Sequence, residues 1–303
     1  MAPLRNDLAR GPAGEAMWIH AADGLRLRMA HWPGTGGTVF VLPGRTEYIE
    51  KYGLAAGDLT ARGYGVVALD WRGQGLSDHL HPDPARGHIR RFAEFQLDLD
   101  ALLIAAQGLP KPWFALAHSM GGAILLRRLM DPHPFAAVAF TAPMWGIHLP
   151  GWFRPLAMGL ARTLKGRRIA ERYLPGSGPT GYVPGTAFQG NLLTPDPAMW
   201  GYLLEQMAAE PGFVLGGPSL NWAAESLLEC RALAALPAPD LPCLTALGSE
   251  EQVVDPQAIR ARMAAWPKGR LMDFPGERHE VMMGTTRAAF FDAADALFRS
   301  GSS

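Results

Sequence analysis

Short apolar runs and amphipathic segments alternate along most of the chain. Apolar runs bounded by turn residues predict strands, and two of them flank the Asp23-Gly24 turn within residues 18–32. The other predicted strands lie at residues 38–44, 64–73, 113–117, 135–143, 243–248 and 270–276. Apolar side chains at helical spacing predict helices at residues 47–62, 92–107, 123–130, 256–265 and 285–299. This alternation predicts an α/β fold, with a mostly parallel central sheet and helices on both faces.

Residues 144–221 interrupt the alternation. They are rich in Pro, Gly, Trp and Met and contain no strand-like run, which predicts an inserted cap between core segments 1–143 and 222–303. Large aromatic and thioether side chains can line an apolar pocket, although the same side chains could simply pack the cap onto the core. We interpret them as a pocket and expect Trp145, Trp152 and Phe153 to contact the substrate.

Composition and charge narrow the classes of function. The 303 residues are 48% hydrophobic and 18% charged, and 28 Lys and Arg balance 28 Asp and Glu. No net positive charge therefore favours nucleic acid as a partner. The chain shows neither a signal-peptide pattern nor an apolar run long enough for a membrane span, so we expect a cytoplasmic protein. Cys230 and Cys243 lack metal-ligand spacing and are expected to be buried thiols, with no metal site.

The stretch "AHSMGG" carries the first candidate for chemistry. Ser119 stands where a predicted strand turns at once into a helix, with the small residues Ala117 and Gly121 two positions to either side. A nucleophile elbow needs small residues there because the turn is too tight for larger side chains. A serine at the start of a helix can also serve only as an N-cap. The motif favours a nucleophile, with the backbone N–H groups at the start of the helix pointing toward it.

Residues of the types that a serine nucleophile needs follow later in the chain. Glu250, Glu251 and Asp255 come just after a late predicted strand, and His279 lies in the loop after the last one. The order serine, acid, histidine is the one expected for a serine hydrolase built on such a sheet.

A second glycine-rich stretch, "DWRGQGLSD" at residues 70–78, could suggest a nucleotide site. It lacks the third glycine and the following helix of a dinucleotide fingerprint, so we interpret it as a structural loop and expect no cofactor.

The phrases "LPGRTEYIEKY", "LDWRGQGLSD", "AHSMGG", "GSEEQVVD" and "ERHE", in this order, resemble the α/β-hydrolase superfamily. More narrowly, with "NLLTPD" and "LGGPSLNW", the chain resembles the serine hydrolases of the lysophospholipase L2 and monoacylglycerol lipase type. The resemblance implies that Ser119 is the nucleophile and His279 the base. It also implies that the backbone N–H groups of Arg45 and Met120 form the oxyanion hole.

The chain departs from the commonest pattern of that family at three positions. Pro43 stands where many members have His, Ala117 replaces the first glycine of the elbow, and Glu251 occupies the position of the usual triad aspartate. Position favours Glu251 as the acid, while Asp255 directly before Pro256 is the alternative and could instead cap a helix.

The sequence thus predicts a serine ester hydrolase that cleaves a monoacyl lipid, a lysophospholipid or a monoacylglycerol, through an acyl-enzyme. One alternative is a general short-chain carboxylesterase, and another is a non-catalytic binding module with the hydrolase fold. Leu156, Leu160 and Leu164 lie near Arg162, Lys165, Arg167 and Arg168 in the cap. This amphipathic pattern suggests peripheral contact of the cap with anionic lipid at the inner face of the membrane, although an ordinary helix with a charged face would show it too.

Overall fold

The computed structural model describes residues 1–148, 159, 163 and 167–301, and these residues are organised around one sheet. Its strands are β1 (Glu15–His20), β2 (Arg26–Trp32), β3 (Thr38–Leu42), β4 (Gly65–Leu69), β5 (Trp113–His118), β6 (Phe135–Thr141), β7 (Cys243–Gly248) and β8 (Gly269–Phe274). They are ordered β1-β2-β4-β3-β5-β6-β7-β8. The β1-β2 and β2-β4 pairs are antiparallel and the others are parallel. The predicted mostly parallel sheet is confirmed.

Helices connect the strands and cover both faces of the sheet. The α-helices of the described residues are α1 (Asn6–Ala9), α2 (Gly53–Thr60), α3 (Phe95–Ala105), α4 (Met120–Arg128), α5 (Pro197–Ala209), α6 (Leu220–Ala234), α7 (Pro256–Ala264) and α8 (Arg287–Ser300). Short 3-10 helices lie at Ile49–Tyr52, Phe92–Glu94, Arg168–Glu171, Phe188–Gly190, Pro211–Phe213 and Val281–Met283. None of these helices is long and apolar enough to cross a bilayer.

The core is divided by the sheet into two apolar layers. One layer packs α3, α4, α6 and α7 against the sheet, with Leu99, Ile124 and Leu233 fully buried. The other packs α2 and α8, with Phe290 and Phe298 fully buried. Both cysteines are buried free thiols as expected, and burial raises the pKa of Cys230 to about 12. Because most strands are parallel, their carboxyl ends lie at the same edge of the sheet. The loops that follow these ends can carry chemistry.

Part of residues 144–221 forms a third apolar cluster beyond this edge. The described residues of this segment contain α5 and three of the 3-10 helices, and none of the named strands. Trp200, Leu203 and Met207 of α5 pack with Tyr48 and Phe213. The Gln206 amide donates to the Leu8 carbonyl at 2.8 Å. Helix α5 is therefore fixed to the amino-terminal part of the chain and to the loop after β3.

Candidate active site

The turn from β5 into α4 places Ser119 in a strained conformation. Its φ of 48° and ψ of −116° lie outside the ordinary regions for a residue with a side chain. The Ser119 N–H donates to the Thr141 carbonyl at 3.1 Å, and the Ser119 carbonyl accepts from the Met144 N–H at 2.8 Å. Such strain costs about 1–3 kcal/mol and persists only where the surroundings enforce it. Here the hydrogen bonds to Thr141 and Met144 hold Ser119 in this conformation.

The tightness of this corner explains its glycines. A Cβ on Gly121 would lie 2.2 Å from the Leu42 carbonyl oxygen, and one on Gly122 would lie 2.5 Å from Cβ of Pro143. The start of α4 can approach the end of β3 at Gly121, and the segment after β6 at Gly122, only because both positions lack a side chain. Ala117, the small residue two positions before Ser119, is fully buried at the end of β5.

His279 lies in the loop after β8, directly against one of the three candidate acids. Its Nδ1 atom is 2.7 Å from Oε2 of Glu251, and both side chains are buried. The other oxygen of Glu251 accepts from the backbone N–H groups of Val253, at 2.6 Å, and Val254, at 3.0 Å. Burial opposes ionisation, but the His279 ring and these hydrogen bonds outweigh it and lower the pKa of Glu251. Glu251 is therefore an ionised carboxylate facing the imidazole.

Asp255 and Glu250 have other surroundings. Asp255 is the N-cap of α7, where its carboxylate accepts from the Gln257 N–H at 3.0 Å and Pro256 takes the first helical position. The half-exposed Glu250 carboxylate lies 3.6 Å from the Arg278 guanidinium. Of the three acids that follow β7, the structure brings Glu251 to His279.

The loop after β3 is held in shape by a residue that the sequence analysis did not single out. The Gln74 amide donates to the Gly44 carbonyl at 3.1 Å and accepts from the Thr46 N–H at 2.7 Å. The Arg45 N–H between these two contacts donates to no described residue. Met120 is the first residue of α4, so its N–H has no carbonyl partner within the helix. Both N–H groups expected in the oxyanion hole are thus left available.

A cluster of buried charges lies beneath these loops. Lys51 forms ion pairs with Glu47 and, at 2.6 Å, with Glu280, the residue after His279. Glu47 also accepts from the Gly44 N–H in the loop after β3. One ammonium group therefore connects the loop after β3 (the proposed oxyanion loop) to the loop after β8 that carries His279 (the histidine loop).

His118, the residue before the serine, completes this cluster. Its Nδ1 lies 3.1 Å from the Thr141 carbonyl, and its Nε2 lies 3.3 Å and 3.5 Å from carboxylate oxygens of Glu280 and Glu47. Burial disfavours the imidazolium, but the two carboxylates outweigh it and raise the pKa of His118. Glu47, His118 and Glu280 lie close enough to share a metal ion. Lys51 already supplies a cation between the two carboxylates.

Ser119 and His279 open into a common cavity of about 340 Å³. Most of its wall is apolar. The core contributes Trp222, Val253 and Val254, and residues 144–221 contribute Ile147, Val183, Leu192, Leu193, Leu203 and Met207. Segment 191–194 also binds the histidine loop, because the Glu280 N–H donates to the Leu193 carbonyl at 2.8 Å. The cavity has the size and lining of a site for a mostly apolar ligand.

The expected substrate contacts need a correction. Trp145 is buried in the core, 5.0 Å from the Phe140 ring and 6.1 Å from the Trp266 ring by centroids, and its indole N–H donates to the Gly122 carbonyl. It supports the start of α4, while the adjacent Met144 lines the cavity. Trp152 and Phe153 lie outside the described residues.

The Arg45 side chain is the most unusual charge at this site. It lines the cavity shared by Ser119 and His279 (the proposed catalytic cavity) and a second cavity of about 410 Å³ walled largely by glycines (the glycine-walled cavity). One terminal nitrogen donates to the Gly216 carbonyl at 2.7 Å, and the guanidinium lies 4.9 Å from the centre of the Trp222 ring. Burial lowers the pKa of Arg45 to about 10, so the group stays cationic at neutral pH.

Comparison with known proteins places this site in a family. The family described as "Serine aminopeptidase, S33" matches residues 34–286. The chain belongs to this family of serine hydrolases. Lysophospholipase L2 of Escherichia coli (strain K12) is 34% identical to this hydrolase over 259 residues, which cover 80% of this chain and 74% of the relative.

Other relatives agree with this assignment. A monoacylglycerol lipase of Mycolicibacterium smegmatis is 32% identical over 147 residues, covering 46% of this chain and 50% of the relative. A soluble variant of monoglyceride lipase from Saccharomyces cerevisiae has a similar structure, with a TM-score of 0.75 at 19% identity over 99% of this chain and all of the other. At that identity the structural likeness speaks for the fold. The predicted α/β-hydrolase fold and carboxylic ester hydrolase class are confirmed.

Proposed function

We propose that Ser119, His279 and Glu251 are the catalytic triad of a hydrolase that cleaves a monoacyl lipid ester. The observation that carries this proposal is the 2.7 Å contact of Glu251 with His279 Nδ1, in a cavity that also contains the strained Ser119. With Nδ1–H donated to Glu251, the imidazole presents Nε2 as the base.

The proposed reaction proceeds in two steps. His279 takes the proton of Ser119 as the serine oxygen attacks the ester carbonyl, and it returns that proton to the leaving alcohol. Water then hydrolyses the acyl-serine by the same route. The oxyanion is held by the N–H groups of Arg45 and Met120, each expected to contribute about a hundredfold or more to the rate. The available N–H groups and the support of Gln74 favour this assignment.

The cavity supports an acyl chain as the apolar part of the substrate. We infer that residues 144–221 act as a cap, because Val183, Leu192 and Met207 contribute to the apolar wall around Ser119. The names of the relatives, lysophospholipase and monoacylglycerol lipase, point to the same class of substrate for this chain.

A matched pair of substrates tests the proposal. A lysophospholipid and a monoacylglycerol of equal acyl length are compared by initial rate, with Ser119→Ala as the control. Hydrolysis of at least one that disappears in the variant supports the proposal. Ser119-dependent activity confined to short acyl chains would favour the general carboxylesterase, and a folded protein that does not react with a fluorophosphonate would favour the non-catalytic binding module.

The site does not favour the peptidase activity in the family description. An aminopeptidase must hold the α-ammonium group of its substrate, for which an unpaired carboxylate is suited. The carboxylates at the cavity wall, Glu47 and Glu280, are both paired with Lys51, while Arg45 presents a positive charge. An α-ammonium group beside the reacting carbonyl would be repelled there, so an ester without that group fits better.

We also propose peripheral contact of the cap with anionic lipid at the inner face of the membrane. The support is the sequence of residues 154–168, and only Gly159, Thr163, Arg167 and Arg168 of it lie among the described residues. Flotation of the protein with vesicles should rise with the fraction of anionic lipid, and flotation independent of that fraction would remove the idea.

A further inference from the structure

Arg45 is a cation in the site without a matching anion. Its Nε atom is buried and has no hydrogen-bond partner among the described residues. No carboxylate contributes to its pKa, which burial alone lowers. Residues 149–166, which include the undescribed internal positions, contain no aspartate or glutamate. The missing counter-charge is therefore not supplied by the chain.

The buried arginines of this protein show how the fold normally compensates such a charge, whereas Arg45 is partly exposed. Arg28 contacts Glu50 and Asp70 at 2.7 and 2.8 Å, and Arg72 contacts Asp98 at 2.7 Å. Arg262, which lacks such an acid, donates to three carbonyls at the end of α6. The Arg45 guanidinium donates to one carbonyl, that of Gly216. A charge removed from water is costly unless it is paired, so an unpaired one at a cavity wall indicates an anionic ligand.

The position of Arg45 defines where that anion would lie. Arg45, Thr46 and Tyr182 line both the catalytic cavity and the glycine-walled cavity, so the guanidinium stands at their junction. The backbone N–H of the same residue is proposed to hold the ester oxyanion. An anion at the guanidinium is thus separated from the reacting carbonyl by no more than about the length of one arginine side chain.

We infer that the Arg45 guanidinium binds the phosphate of a lysophospholipid headgroup, with the rest of the headgroup in the glycine-walled cavity and the acyl chain in the catalytic cavity. This inference rests on the proposed function and selects the phospholipid over the glyceride. The planar fork of an arginine matches the oxygens of a phosphate better than a lysine ammonium does, and the free Nε–H supplies a donor. A monoacylglycerol offers no anion at this place.

The test compares substrates within one variant. In Arg45→Gln, the ratio of kcat/KM for a lysophosphatidylcholine to that for a monoacylglycerol of equal acyl length should fall at least tenfold. Any damage to the oxyanion loop affects both substrates, because both present the same ester carbonyl, and it cancels in the ratio. Arg90→Gln, at an exposed arginine, is the control and should leave the ratio as in the wild type. A ratio unchanged within twofold in Arg45→Gln would overturn the inference, provided that the variant still reacts with a fluorophosphonate.

A binding measurement separates this inference from the proposed function. Calorimetry on Ser119→Ala uses glycerophosphocholine and, separately, inorganic phosphate as probes. Binding of glycerophosphocholine that is lost in Ser119→Ala/Arg45→Gln supports the headgroup site even if hydrolysis has failed. Equal or tighter binding of inorganic phosphate would assign the site to a free ion and overturn the inference. Wild-type protein that hydrolyses neither lipid would instead overturn the proposed function.

Discussion

Replacing Glu251 with glutamine tests the acid of the proposed triad, the member for which the sequence also offers Asp255. The carboxylate accepts from His279 with one oxygen and from the Val253 and Val254 N–H groups with the other. A glutamine has one acceptor oxygen, and satisfying the two backbone donors turns its NH₂ group toward His279. The imidazole must then accept at Nδ1 and carry its proton on Nε2, where it cannot serve as a base for Ser119.

The expected loss follows from this change of tautomer. The comparable aspartate-to-asparagine change in a serine protease lowers kcat about 10⁴-fold, equivalent to about 5 kcal/mol of barrier. We expect a similar fall in kcat for Glu251→Gln on a soluble chromogenic ester, measured at a temperature where the variant is still folded. Asp255→Ala should keep the wild-type kcat and lose about 1 kcal/mol of stability with the cap of α7. A Glu251→Gln protein with more than a tenth of wild-type kcat, together with an inactive Asp255→Ala protein of normal Tm, would refute the reasoning.

Three further predictions follow from the charges and the cavity. Lys51→Met leaves two buried carboxylates without their cation and should lower the free energy of unfolding by about 3–5 kcal/mol in a urea titration, whereas an unchanged midpoint would contradict the network. Met207→Trp should narrow the cavity and shorten the preferred acyl chain. Each methylene that the narrower cavity excludes should cost about 0.8 kcal/mol, which is a fourfold fall in kcat/KM across a series of esters of increasing chain length. Since the pKa of Glu251 is lowered in the folded protein, its stabilising contribution is complete above the ordinary value of 4.5 and is lost as pH falls through the folded value. Glu251→Gln should therefore lose less stability than the wild type on acidification below about pH 4.5, and parallel curves would contradict this.

The sequence was most informative where local pattern and chemistry coincide. The mostly apolar strands β3 to β7 were predictable because a parallel sheet covered on both faces needs apolar side chains in both directions. Ser119 could be located because the elbow restricts its neighbours to small residues. Glu251 was preferred over Asp255 by its position, and the structure gives Asp255 the cap of α7.

Features that depend on tertiary proximity were not predictable. The helix expected at residues 47–62 is a 3-10 turn followed by α2, and Glu47 is instead drawn into contacts with Gly44 and Lys51. Trp145 was assigned to the pocket because aromatic residues line pockets and fill cores alike. Its contact with Trp266, more than a hundred residues away, gives no local signal. The contacts of Gln74 join two loops that are far apart in sequence, so its support of Gly44 and Thr46 leaves no local signal.

The buried charges of Lys51, Glu47, Glu280 and His118 hold three loops together before a substrate binds. The ion pairs of Lys51 and those of His118 join the oxyanion loop, the elbow and the histidine loop, three segments distant in the chain. Loops cross-linked by buried charges cannot drift apart independently, so the reacting groups are held in one arrangement before a substrate arrives. Little free energy of substrate binding then has to go into assembling the proposed reacting groups.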